Sequence, residues 1–212
     1  MKYVFLLGLN QDCSSYQSAI QNMKDVRQED CIAIDYHQFQ DPIQSFEALS
    51  FRLEMYLLEL SKEEPIHLIG LSLGAMLALK FALNYSNRIV SLVLIACIYK
   101  VPRTLLKVQN KIMACMPEGL FEDDGLSKQE IMSLTKSMYG IDYESALGSI
   151  TCSTLVVCGS KDYFNLKQAR RLHDLIYDSK IEVIQNGKHE LNIDHGKELG
   201  CLINTFCKES EC

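Results

Sequence analysis

Six short apolar runs alternate with helical segments along the chain. None of them alternates cleanly between apolar and polar residues, a pattern typical of strands covered on both faces in a parallel sheet. The runs span residues 2–7, 31–34, 65–71, 89–97, 154–158 and 180–184. This order predicts an α/β fold: a doubly wound, mainly parallel six-stranded sheet, with a ligand crevice at the carboxyl ends of its strands.

Three helical segments are predicted between and after these strands. Asp41 and Pro42 suit the cap and first turn of a helix. Residues 72–85 are apolar nearly all round, as expected for a helix buried against a sheet. The predicted apolar stripes are Ile43, Phe46, Leu49, Leu53, Leu57 and Leu60 in the first helix, and Leu199, Leu202, Ile203 and Phe206 in the last.

The stretch 99–149 contains no predicted strand, only helical pieces at 103–116 and 127–139. The second piece begins with Ser127 and Glu130 in capping-box spacing. We therefore expect a core formed by residues 1–98 and 150–212, with a helical cap inserted at 99–149. The apolar residues of this cap either line a pocket or fill the cap's own core, and we favour the second role. These residues are Leu105, Leu106, Ile112, Met113, Met116, Leu120, Phe121, Met132 and Met138.

Composition narrows the classes of partner. With 21 basic and 27 acidic residues the net charge is −6, which gives no reason to expect nucleic acid or an anionic membrane as partner. No apolar stretch reaches the roughly 20 residues of a membrane span, and no signal peptide is expected. The nine cysteines are scattered without CxxC spacing, so we expect reduced thiols, a cytoplasmic location and no metal site.

The sequence Gly70-Leu71-Ser72-Leu73-Gly74 joins the third predicted strand to the buried helix. A serine at such a sharp turn is held in a strained conformation with its hydroxyl at the top of the sheet. Glycines flank it because side chains there would collide with the neighbouring strand and helix. Ser72 is therefore the predicted nucleophile.

A serine hydroxyl needs a base, and the base needs an orienting group. His189 follows the sixth strand directly and is the predicted base, with His195 as the alternative. Asp162 follows the fifth strand and is the predicted acid, although a turn or helix-cap role is the alternative. The other three histidines are assigned structural or loop positions: His37, His67 and His173.

Since serine, aspartate and histidine follow in that order, each after a strand, the chain resembles the α/β-hydrolase family, in particular its smaller single-domain esterase and lipase-like members. The motifs are GLSLG, VVCGSKD and QNGKHEL. The resemblance implies acyl-transfer hydrolysis without metal or organic cofactor. Many members carry His-Gly where this chain has Leu7-Gly8; the backbone N–H groups of Leu9 and Leu73 can still form an oxyanion hole.

The predicted function is hydrolysis of a small or medium ester, thioester or lactone with an apolar acyl part, through an acyl-enzyme at Ser72. Two alternatives stay open: a C–C bond hydrolase or acyltransferase that uses the same triad, and a non-catalytic ligand-binding relative. A dinucleotide site is not expected, because residues 8–12 lack GxGxxG spacing. The partner is thus a small molecule, and no oligomeric state is predicted.

Overall fold

The computed structural model describes residues 1–39, 45–102, 114 and 127–211, which contain one six-stranded sheet in the order β2-β1-β3-β4-β5-β6. All neighbouring strands are parallel. The strands are β1 Tyr3–Leu6, β2 Cys31–Ile34, β3 Ile66–Leu71, β4 Ile89–Ile95, β5 Ser153–Gly159 and β6 Ser179–Ile184. The predicted sheet is confirmed, and each strand ends within one or two residues of its predicted limits.

Helices cover both faces of this sheet, as a doubly wound fold requires. They are α1 Gln17–Gln21, α2 Phe46–Leu60, α3 Leu73–Tyr85, α4 Lys128–Ser137, α5 Tyr163–Leu175, α6 Leu191–Asp194 and α7 Gly196–Glu209. Short 3-10 turns occur at Cys13–Tyr16, Gln28–Asp30, Tyr36–Gln38, Ser86–Arg88 and Glu144–Ser149. Within the described ranges, none of the helices has the length and apolar character needed to cross a membrane.

The hydrophobic core lies on both sides of the central strands. Every residue of β1 and β3 is buried, and α3 buries nearly its whole circumference against them. The edge strand β6 differs, because its Lys180 and Glu182 are exposed and alternate with partly buried neighbours. The alternation of charged and apolar residues in KIEVI is therefore consistent with the position of β6 at the edge of the sheet.

The start of α2 corrects one sequence prediction. The backbone of Ser45 is extended (φ −161°, ψ 161°), and its hydroxyl accepts a hydrogen bond from the Ala48 N–H at 3.1 Å. Serine and aspartate are both good N-cap residues, and the chain uses the serine. The predicted start at Asp41 and Pro42 is therefore wrong; both residues lie outside the described part, as does Ile43.

The predicted cap is described only in part. Helix α4 is confirmed, with both reciprocal hydrogen bonds of the capping box between Ser127 and Glu130. Of the apolar residues predicted for the cap, Met138 is buried in the main hydrophobic cluster, and Met132 is partly buried and packs against that cluster. The helix predicted at 103–116 lies almost wholly outside the described residues. The same holds for Leu105, Leu106, Ile112, Met113, Met116, Leu120 and Phe121. The division into core and cap stays a prediction.

A buried polar network lies at the amino end of the sheet, centred on His67 of β3. The imidazole contacts the Ser91 hydroxyl at 2.7 Å and the Glu211 carboxylate at 3.1 Å, and it stacks on Tyr3. Burial lowers the pKa of His67, outweighing the hydrogen bond and charge of Glu211, which raise it. His67 is thus the satisfied structural histidine that its position inside a strand predicted.

This network makes stability depend on pH. In the unfolded chain the imidazole titrates near pH 6.5, so below that pH the unfolded state binds more protons than the native state, in which the pKa of His67 is lowered. The free energy of unfolding should fall as pH drops through about 6.5, by at most ~1.4 kcal/mol per pH unit for one proton. Urea titrations between about pH 5.5 and 7.5 would measure this slope. An equally steep slope in His67→Gln would contradict the assignment.

Candidate active site

The turn between β3 and α3 contains one residue, Ser72. Its φ of 54° and ψ of −110° lie outside the regions that non-glycine residues normally occupy. The turn is held by a hydrogen bond from the Ser72 N–H to the Ile95 carbonyl at 2.9 Å. Such a conformation costs about 1–3 kcal/mol and persists only where the surroundings enforce it.

The two glycines of the turn have the packing reason that the sequence predicted. A methyl group on Gly70 would overlap the backbone carbonyl of Gly74, and one on Gly74 would overlap the carbonyl of Leu6 in β1. Strand and helix therefore approach too closely for any side chain at either position. This contact brings the amino end of α3 and its serine to the carboxyl edge of the sheet.

The structure brings the three predicted catalytic side chains together at that edge. His189 Nε2 lies 3.0 Å from Ser72 Oγ, and His189 Nδ1 lies 2.7 Å from Asp162 Oδ2. A carboxylate can only accept, so Nδ1 carries the proton that is donated to Asp162. The Nε2 lone pair of a neutral imidazole is then available to the serine hydroxyl.

Asp162 is also the N-cap of α5, so the helix-cap alternative holds alongside the contact with His189. Its carboxylate accepts from the Asn165 N–H at 3.4 Å, and Asn165 Nδ2 lies 2.9 and 2.8 Å from the two carboxylate oxygens. Burial raises the pKa of Asp162, but hydrogen bonds from His189 and Asn165 and the charge of His189 outweigh it and leave the pKa lowered. The carboxyl group is therefore held as an anion.

Asn165 is a site residue that the sequence reasoning missed. It is buried, and its amide nitrogen faces the carboxylate that orients His189. The available signal was its spacing, since a residue three positions after a helix N-cap lies within reach of the cap side chain. Asn165 therefore holds the Asp162 carboxylate through both its backbone N–H and its side-chain amide.

The remaining histidines lie elsewhere. His195 precedes α7 as its N-cap residue, and in the described part of the chain its buried Nδ1 has no hydrogen-bond partner. His173 contacts the Ser179 hydroxyl at 3.0 Å, in the last turn of α5, at the other end of the helix from Asp162. Of the two candidate bases, both among the described side chains, His189 is hydrogen-bonded to Ser72 and the alternative base, His195, is not.

The two predicted oxyanion donors occupy suitable backbone positions. Leu73 is the first residue of α3, where N–H groups have no partner within the helix. Leu9 lies in the turn after β1, and among the described residues its N–H donates to no protein carbonyl. Their role in binding an oxyanion stays a prediction.

A parallel sheet whose strand–serine–helix turn meets a hydrogen-bonded histidine and aspartate defines the class: an α/β-hydrolase fold. The chain belongs to the alpha/beta hydrolase fold family, whose sequence model matches residues 21–128. No match was found among curated protein sequences.

Solved structures with the same fold cover nearly the whole chain. MenH from S. aureus is 20% identical, with a TM-score of 0.83, over 100% of this chain and 95% of that chain. The enol-lactonase from Burkholderia xenovorans LB400 is 14% identical, with a TM-score of 0.81, over 98% and 92%. A thermophilic esterase from Thermogutta terrifontis is 16% identical, with a TM-score of 0.76, over 100% and 91%. At these identities the likeness establishes the fold.

Proposed function

We propose that this protein is a serine hydrolase that cleaves a small or medium carboxylic ester, thioester or lactone. The observation that carries the proposal is the unbroken hydrogen-bonded series from Ser72 through His189 to Asp162. The fold supports it, since neighbours in fold include an esterase and an enol-lactonase, which act on open and cyclic esters. The apolar acyl part predicted from the sequence is kept in this proposal, and a series of esters of rising acyl length tests it.

In the proposed mechanism, Ser72 Oγ attacks the acyl carbonyl while His189 Nε2 takes the hydroxyl proton. The negative charge that develops on the carbonyl oxygen is stabilised by the N–H groups of Leu9 and Leu73. The bond between the carbonyl carbon and the leaving oxygen or sulfur then breaks as His189 donates the proton to that atom, and an ester on Ser72 remains. An alcohol or thiol departs, whereas the ring oxygen of a lactone stays attached as a hydroxyl on the acyl chain. Water, activated by the same imidazole, releases the acid and restores the serine.

Asp162 keeps the imidazole in the tautomer that accepts at Nε2, and it stabilises the imidazolium ion that forms during attack. The nucleophile, base and electrophilic donors are all supplied by the chain itself. The proposed reaction therefore requires no metal and no organic cofactor.

Labelling with a fluorophosphonate probe tests the proposal directly. We expect stoichiometric labelling of the wild-type protein at Ser72 and none of Ser72→Ala, because only an activated serine reacts with such a probe. Peptide mass spectrometry should find the adduct on Ser72 and not on Ser91, whose hydroxyl also contacts an imidazole but is fully buried. Equal labelling of the wild type and Ser72→Ala would contradict the proposal.

A series of p-nitrophenyl esters with rising acyl length then defines the substrate class. Turnover that increases with acyl length supports an apolar acyl pocket. A second product that appears when a primary alcohol is added, at the expense of the free acid, would assign acyl transfer instead of hydrolysis.

A further inference from the structure

The loop after β1 and the segment after β6 are joined by the side chains of Gln11, Glu190 and Asn192, of which Asn192 lies in α6. Gln11 Oε1 accepts from the Gly8 N–H at 3.1 Å and from Asn192 Nδ2 at 3.0 Å. Gln11 Nε2 donates to Asn192 Oδ1 at 3.3 Å and to Glu190 Oε1 at 3.2 Å. Four hydrogen bonds therefore converge on one glutamine amide and connect these two segments at the carboxyl edge of the sheet.

The orientation of this amide is fixed by its outer partners. The Gly8 N–H can only donate, and the Glu190 carboxylate can only accept, so turning the Gln11 amide over would lose both bonds. Asn192 is fully buried and directs both ends of its own amide to Gln11. Since buried polar groups without partners are costly, Asn192 and Gln11 hold each other in place.

Glycine at position 8 allows the loop backbone to approach the Gln11 side chain closely. A methyl group at position 8 would lie 3.1 Å from Gln11 Oε1 and 2.9 Å from Leu71 Cδ2, closer than side chains normally pack. The loop after β1 is thus pressed between the residue that precedes the proposed nucleophile and the glutamine amide.

The ends of the bridge adjoin the proposed catalytic groups. Gly8 immediately precedes Leu9, the proposed oxyanion donor, and Glu190 immediately follows His189, the proposed base. The three bridging residues are also among those that line an open polar cavity of about 540 Å³. Ser72 does not line this cavity, so the bridge acts from beside the reacting atoms.

We propose that Gln11 and Asn192 are positioning residues, which hold the Gly8–Leu9 backbone so that the Leu9 N–H faces the developing oxyanion. This inference rests on the proposed hydrolase function. An oxyanion donor contributes only when it is aimed at the charge that develops in the transition state. Loss of the bridge should therefore lower turnover and leave ground-state binding nearly unchanged.

The first test is Gln11→Ala, assayed with a p-nitrophenyl ester. We expect kcat to fall by about 10- to 100-fold, because misplacing one donor removes part of the roughly 10²- to 10³-fold increase in kcat that such a donor supplies. KM should change by less than about threefold, since the donor acts in the transition state. Gln21→Ala is the matched control: Gln21 is exposed and lines the same cavity, and its removal should leave kcat unchanged.

The second test exchanges the two partners. Gln11→Glu keeps an acceptor for the Gly8 N–H but sets a carboxylate against both the Glu190 carboxylate and Asn192 Oδ1, so kcat should fall. Adding Glu190→Gln restores the hydrogen bond between positions 11 and 190 but not the one to Asn192 Oδ1, so we expect the double variant to recover part of the lost turnover. A role in stability alone would show in the melting temperature, whereas recovery of kcat at equal melting temperature reports positioning.

The two proposals fail in different ways. If the wild type is labelled at Ser72 but Gln11→Ala keeps kcat within twofold, or if the double variant recovers nothing, the positioning role is overturned and the hydrolase function stands. If the wild type is neither labelled nor active on any ester of the series, both proposals are overturned.

Discussion

His189→Ala is expected to lower kcat/KM for a small ester by about 10⁴- to 10⁶-fold, the range seen when the base of a serine triad is removed. The serine hydroxyl then has no group to take its proton, since Nε2 of His189 is its 3.0 Å partner in the structure. Progress curves at high enzyme concentration would measure the residual rate.

The control for this prediction is His195→Ala, which removes the histidine that the sequence left as the alternative base. It should keep turnover within a few fold, because His195 lies at the N-cap position of α7 and makes no hydrogen bond to Ser72 in the described structure. The His189 side chain is 42% exposed, so its removal leaves no buried cavity and the melting temperature should change little. Lost activity in His195→Ala with retained activity in His189→Ala would reverse the assignment.

Asp162→Asn is expected to lower kcat by about 10³- to 10⁴-fold without unfolding the protein. In the wild-type protein the Asp162 carboxylate accepts hydrogen bonds from both His189 Nδ1 and Asn165 Nδ2. An amide at this position offers one acceptor oxygen and places an NH₂ group against two donors. The imidazole then prefers the tautomer with its proton on Nε2, which cannot accept a proton from the serine.

Single-turnover kinetics at neutral pH would measure this loss, with Asp174→Asn as the control. Asp174 is an exposed aspartate on the same helix, so its substitution changes the charge of α5 equally without touching His189. Circular dichroism should show that both variants are folded. Turnover of Asp162→Asn within tenfold of the wild type would remove Asp162 from the proposed mechanism.

Much of the fold was predictable because its signals are local. Central strands buried on both faces appear in the sequence as unbroken apolar runs. The close approach of strand and helix at the turn requires glycine at positions 70 and 74, on either side of the serine. Chain order then places residues that follow parallel strands at one edge of the sheet. Ser72, Asp162 and His189 could therefore be selected before their distances were known.

The rest depends on contacts that no local pattern encodes. Gln11 meets Asn192 across 181 positions of sequence, and His67 meets Glu211 across 144. Nothing near Gln11 distinguishes it from other surface glutamines, although it supports the turn where many family members have a histidine. The start of α2 was misplaced for another reason: aspartate and serine are equally good caps, and only the tertiary fold chooses between them.

The two ends of the strands carry different groups. The carboxyl end holds Ser72, Asp162 and His189, whereas the amino end holds the buried pair of His67 and Ser91. In a deep mutational scan that scores cellular abundance and catalytic rate separately, the effect of a substitution should depend on its position along the strands. Substitutions at the amino end of the sheet would lower the abundance of the protein, and substitutions at the carboxyl end would leave abundant but inactive molecules.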